Sequence, residues 1–283
     1  MKAIKGMSLV MVMVASALSC SFADGAQVAV QFPEGVTHGF LLVRSVDGQP
    51  IGQGEATKVL KDGDLVESRL LFRFKDGSLH DERVAFSQQR VFTLIRYHLV
   101  QRGPLFPKQV EFLFDRGTSE YMVRSQEENE KEELLNGHID LPKDVYNGMI
   151  VTILTNLPKG TNGTVNWLVP TPEPKVVPVH LRLIDEEKGR IGQWSKVMEH
   201  YKFEPEIGML QKLLGKIMGK LPAYFRYDCW IMAEDVPSFV QFEGRLQVKA
   251  PVMRIELISP ALASEDRRAM GDGANPVSYA TPR

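Results

Sequence analysis

Residues 69–86 read RLLFRFKDGSLHDERVAF, and this stretch decides the fold class. Leu70, Phe72 and Phe74 take alternate positions on one face of an extended chain, while Arg69, Leu71, Arg73 and Lys75 point the other way. Asp76-Gly77 then interrupts the run with a pair suited to the positive φ of a tight hairpin turn. The same grammar recurs in KQVEFLFDRGTSEYMVRS, residues 108–125. There Val110, Phe112 and Phe114 alternate with Glu111, Leu113 and Asp115, Asp115 to Thr118 make the turn, and Tyr121 to Arg124 return. Upstream, 39–46 and 52–59 flank the turn signal Asp47-Gly48. The first half of the chain therefore reads as an antiparallel meander.

Further strands are expected at 164–169, 176–184, 196–203, 224–233 and 252–258. Two segments change period. In LPKDVYNGMIVTILTNLPKG, residues 141–160, Val145, Met149, Ile150, Ile153, Leu154 and Leu157 recur at three- and four-residue spacing, which predicts an amphipathic helix over 143–157 ended by Pro158. IGMLQKLLGKIMGKLP, residues 207–222, places leucines and isoleucine on one face and Lys212, Lys216 and Lys220 on the other. It predicts a second covering helix over 207–221. QEENEKEEL at 126–134 reads as a solvated acidic loop. The proline-rich 170–178 is short and bounded by strands, so 24–262 reads as one mainly β domain, divisible at most into two joined halves near 159–175. The tail from 263 lacks an apolar period and reads as loose.

Lys2, Lys5, the apolar run 7–18 and the small residues at Ser21 and Ala23 compose a secretory leader with a cut expected after Ala23. The alternative is lipidation at Cys20, whose upstream Ala17-Leu18-Ser19 loosely resembles a lipoprotein signal. The chain carries 34 basic and 35 acidic side chains. This balance argues against nucleic acid as the main partner, and no later segment is long and apolar enough for a transmembrane span. The expected location is periplasmic or secreted. Loss of the leader leaves Cys229 as a single cysteine, so stability has to come from a packed core rather than a disulfide.

The chemical motifs are sparse. No GxSxG elbow, HExxH, CxxC, phosphate-cradling glycine loop or EF-hand pattern is present. The six histidines lie scattered without ligand spacing, so neither a metal nor a cofactor is expected. The densest mixture of aromatic and polar residues is FSQQRVFTLIRYHLVQRGPLFP at 86–107. Strict alternation there puts Val91, Thr93, Ile95, Tyr97, Leu99 and Gln101 on one face and Phe92, Leu94, Arg96, His98 and Val100 on the other. A strand apolar on both faces is expected to be covered on both.

The run from Ser68 to Pro107, together with HIDLPKDVYNGMIVTILTNLP and APVMRIELISP, resembles a group of secreted bacterial proteins built around a domain of unassigned function. More loosely it is similar to the envelope half-barrel families typified by the lipoprotein-localisation carrier. The resemblance implies a curved antiparallel sheet, incompletely closed, with helices against its concave side. On that basis the leading expectation is a non-enzymatic periplasmic protein that holds a lipid or other apolar ligand between sheet and helices. Phe72, Phe74, Phe92, Leu94, Phe112, Phe114, Met149 and Ile153 would line the space, and Arg96, His98 and Gln101 its polar rim. The alternatives are a structural or partner-binding envelope protein with a filled core, and a hydrolase whose site assembles only in space.

Overall fold

The computed structural model describes residues 27–127, 130–171, 173–191, 194–206, 208 and 227–258. The expected leader with Cys20, the helix expected over 207–221 apart from residue 208, and the expected loose tail lie outside the described residues. Among those described, one antiparallel sheet of 14 strands dominates. It begins in its own middle. β1 (Thr37–Ser45), β2 (Pro50–Leu60), β3 (Leu65–Phe74), β4 (Leu79–Gln88), β5 (Phe92–Arg102), β6 (Lys108–Asp115), β7 (Glu120–Glu127) and β8 (Glu133–His138) step outward one after another. The chain then makes the short helix α1 (Ile150–Asn156) and restarts at the opposite edge. From there β9 (Gly163–Val169), β10 (Lys175–Ile191), β11 (Trp194–Pro205), β12 (Tyr227–Met232), β13 (Ser238–Gly244) and β14 (Met253–Ile258) step back inward. β14 closes on β1 with Phe40 opposite Ile258 and Ser45 opposite Met253. The sheet stays open between β8 and β9 rather than closing into a barrel.

The hairpin turns are where the sequence places them. Gly48 and Gly77 both adopt positive φ, 86° and 84°, and the turn at Gly77 fixes Phe72 opposite His80. One face of the sheet carries the apolar core, with a few buried polar side chains such as His80, Gln101 and Glu199 among it. Its main cluster joins Phe86, Phe92, Leu94 and Phe112 from one wing to Val165, Leu168, Val179 and Phe203 from the other, with Ile153 and Leu154 of α1 between them. A single cluster spanning both wings requires the sheet to bend around the helix. A second cluster holds Leu41, Val43, Phe72, Phe74, Phe106, Met253 and Ile255 beside the β1–β14 seam. Among the described residues no helix is long and apolar enough to cross a membrane.

Four sequence expectations need correction. The helix expected over 143–157 is helical only from Ile150 to Asn156. The residues before it run alongside β9 instead: Val145 forms a parallel bridge to Asn166, and the Tyr146 N–H donates to the Asn166 carbonyl at 3.1 Å. Asn147 continues the pairing through its side chain, accepting from Leu168 N at 2.7 Å and donating to Leu168 O at 2.8 Å. Backbone hydrogen bonds to an otherwise bare sheet edge outweigh helix periodicity here. The strict alternation expected in β5 also fails. Leu94 pairs with Phe86 but Arg96 pairs with Ala85, so Ile95 is an extra residue. This bulge returns Tyr97 and Leu99 to the same buried cluster as Phe92 and Leu94. β5 is thus apolar on one face from Phe92 to Leu99, and the other face carries Arg96 and His98. The acidic segment at 126–134 ends in a strand, since Glu133 starts β8, and β13 was not foreseen. Both strands carry half-exposed or exposed side chains, and such strands lack the clear alternation that makes a strand readable.

Candidate functional site

On the face turned away from α1, strands β2 to β8 carry a trough of about 1000 Å3. Two registered rows of side chains build it. Arg69 lies opposite Arg83, Arg83 opposite His98, His98 opposite Leu113, Leu113 opposite Met122, and Met122 opposite Asn136. One step along the strands, Glu67, Ala85, Arg96, Asp115, Glu120 and His138 form the second row in the same way.

The Asp76-Gly77 turn sets the chemistry of the first row, because it forces Arg69 and Arg83 side by side. Two adjacent guanidiniums repel unless an anion lies between them. Asp81 supplies it. Arg69 donates to both its carboxylate oxygens at 2.8 Å, and Arg83 does the same at 3.2 and 2.8 Å. The Asp81 side chain is only 9% exposed. Burial alone would raise its carboxyl, but the hydrogen bonds and charges of Arg69 and Arg83 override this and hold it well below the usual carboxylate range. The hydrogen bond to Asp81 in turn raises Arg69. Each arginine gives Nε and Nη2 to Asp81, which leaves its Nη1 group for other acceptors. The second row adds Arg96, 3.8 Å from Glu67, and His98 stands 3.3 Å from Glu111 on the neighbouring strand β6.

The residues expected to line an apolar site are separated into two places. Phe92, Leu94, Phe112, Phe114, Met149 and Ile153 all belong to the cluster around α1, whereas Phe72 and Phe74 pack in the second cluster with Phe106. Phe72, Phe92, Leu94, Phe112 and Ile153 have no exposed surface. The three residues expected as a rim also part company. Arg96 and His98 face the trough, while Gln101 is buried on the apolar side, where its amide donates to the Leu246 carbonyl at 2.6 Å and lies 3.1 Å from His80. Cys229 is fully buried, and burial pushes its thiol far up.

Arg69, Asp81 and Arg83 were missed as a unit. A signal for them existed: a three-residue turn over 75–77, centred on Asp76, pairs position 69 with position 83 by symmetry, and Asp81 shares their face two residues before Arg83. A second constellation, Asp185, Glu187 and His200 on β10 and β11, brings three metal-ligating side chains together. Comparison with protein-family models, with curated proteins and with solved structures finds no match.

Proposed function

We propose that this chain is a non-enzymatic binding protein of the bacterial cell envelope, with a filled interior and a protein partner that docks in the trough over β2–β8. The observation that carries this reading is the Arg69–Asp81–Arg83 clamp. It holds two guanidiniums rigidly at the floor of an open groove, each with donors left for a partner's carboxylates. Around them the trough mixes charge with Leu113 and Met122, a composition suited to a polypeptide surface. The lysines and apolar run at 2–18, read as a secretory leader, are what supports an envelope location. Cys229 gives a hydrolase no nucleophile, since a thiol buried that deeply is poorly reactive.

A photo-crosslinking residue introduced at Met122 tests the reading in cells, with the same residue at Val197, an exposed position on the other wing, as the comparison. A discrete adduct from position 122 that disappears with Arg83→Glu, and none from position 197, is expected. Equal labelling at both positions, or none at either, overturns it.

A second reading is an apolar ligand between sheet and helix. It is favoured by the continuity of the main apolar cluster, which runs from one wing through α1 to the other. Such a ligand would displace side chains that now fill that space. Native mass spectrometry of protein purified from the periplasm decides between the readings. A co-purifying lipid supports the second, and a bare protein mass together with no affinity for a fluorescent fatty acid removes it.

A further inference from the structure

A β-bulge creates a cluster on the other wing that the trough does not use. Along β10, Val177, Val179, Leu181 and Leu183 face the apolar cluster. Continued alternation would turn Asp185 and Glu187 the same way. Instead Leu183 pairs with Tyr201 and Asp185 with His200, which leaves Ile184 as an extra residue. The faces exchange at that point, and Asp185 and Glu187 emerge on the outer face beside His200.

The imidazole of His200 is firmly held. It stacks on Trp230 with centroids 4.4 Å apart and planes within 7°, and its side chain is 8% exposed. Nε2 lies 2.7 Å from the Asp228 carboxylate, which is 2% exposed. A carboxylate only accepts hydrogen bonds, so Nε2 carries a proton and donates it to Asp228. That leaves Nδ1 as the nitrogen able to ligate, and it points at two further carboxylates, Asp185 Oδ1 at 3.2 Å and Glu187 Oε1 at 3.7 Å. One ring nitrogen, on a side chain more than nine-tenths buried, and two carboxylate oxygens thus converge as a set of ligand atoms able to hold a cation.

We propose that Asp185, Glu187 and His200 bind a divalent transition-metal ion of the zinc type, with Asp228 fixing the histidine from behind. The distances suit tetrahedral coordination. Ligand bonds of about 2.0–2.1 Å place tetrahedral ligand atoms about 3.4 Å apart, and the two N···O separations bracket that value. Imidazole with two carboxylates matches the donor preference of zinc and its neighbours over calcium or magnesium. The Asp228–His200 hydrogen bond is the outer-shell contact that metal-ligating histidines ordinarily make, orienting the ring and raising its basicity. Asp185 and Glu187 are about half exposed, so the fourth position is open to water or to a ligand from outside.

Calorimetric titration of the full chain with Zn2+, after dialysis against a chelator, tests this. One ion per chain with micromolar or tighter affinity is expected. Asp185→Asn with Glu187→Gln, both at exposed positions that leave folding intact, should weaken binding by at least tenfold. Asp228→Asn should weaken it about 10–100-fold. Glu186→Gln, one residue away on the opposite face, should leave it unchanged. His200→Ala removes a buried ring, so its result counts only where circular dichroism shows a folded chain. Absence of zinc binding at 100-fold excess, or binding undiminished in the double variant, overturns the proposal.

Discussion

The guanidinium of Arg69 on β3 grips the carboxylate of Asp81 on β4 through two parallel hydrogen bonds of 2.8 Å. With Arg83 bound to the same carboxylate, one nearly buried anion holds two half-exposed cations. Asp81→Asn removes that anion and leaves the arginines facing each other, which should cost about 1–3 kcal/mol after allowing for screening of the exposed arginines. The midpoint of urea unfolding measures it. The pH dependence has a definite sign. Because the folded carboxyl titrates below its unfolded value of about 3.9, the stabilisation is complete above that value and is lost as the pH falls through the folded pKa. The unmodified chain should therefore lose stability below about pH 4 more steeply than Asp81→Asn. Parallel curves for the two proteins would contradict the clamp.

Phe112 and Leu113 are neighbours in sequence on opposite faces of β6. Phe112 has no exposed surface and Leu113 is 37% exposed in the trough. Phe112→Ala should cost about 3–5 kcal/mol, and Leu113→Ala within about 0.5 kcal/mol. Thermal or denaturant unfolding of the pair reads the difference directly. Similar losses at both positions would show that the outer face is covered as tightly as the inner one.

Gly148 controls how the chain enters α1. Its φ is +65°, and a Cβ built there would collide with Val84 on β4. Gly148→Ala thus meets both a left-handed backbone and a filled neighbour site, for an expected loss of about 1–3 kcal/mol. Gly63, also at positive φ but with open space around it, is the control: Gly63→Ala should cost only the backbone part, about 1 kcal/mol. An equal loss at both sites would mean that the α1 entry is not packed against β4.

The sheet was legible because hairpin turns and two-residue periodicity are local signals, present in residues 69–86 without any tertiary knowledge. The bulges were not. Nothing in TLIRY announces that Ile95 is an extra residue; the reason is the demand that Leu94 and Tyr97 both reach the same cluster, and that demand exists only once β4 and α1 are in place. The same holds for Ile184, whose bulge carries Asp185 and Glu187 to the outer face. The Arg69–Asp81–Arg83 clamp lies within one hairpin and was open to a local reading. The positions of Arg96, His98, Asp185 and Glu187 depended on the bulges, and so on packing that no local signal carries.

Cys229 gives a probe of the wing that carries the proposed metal ion. Its side chain lies on the apolar face, fully buried, and its pairing partner Tyr201 is equally enclosed. Burial first, and then the charge of Asp228, push the thiol far above its ordinary range. Since the thiolate is the reactive species and reagents need access, both factors suppress reaction in the folded state. In a chain carrying Cys20→Ser, a maleimide or aromatic disulfide reagent should modify Cys229 immediately in concentrated guanidinium chloride and only over hours in native buffer. The slow native rate would then report local opening of β11 and β12. It should fall further when Zn2+ is added, because ligands donated by β10 and β11 tie that hairpin together. Native labelling as fast as that of an unfolded thiol would place Cys229 outside the core and overturn the packing assigned to this wing.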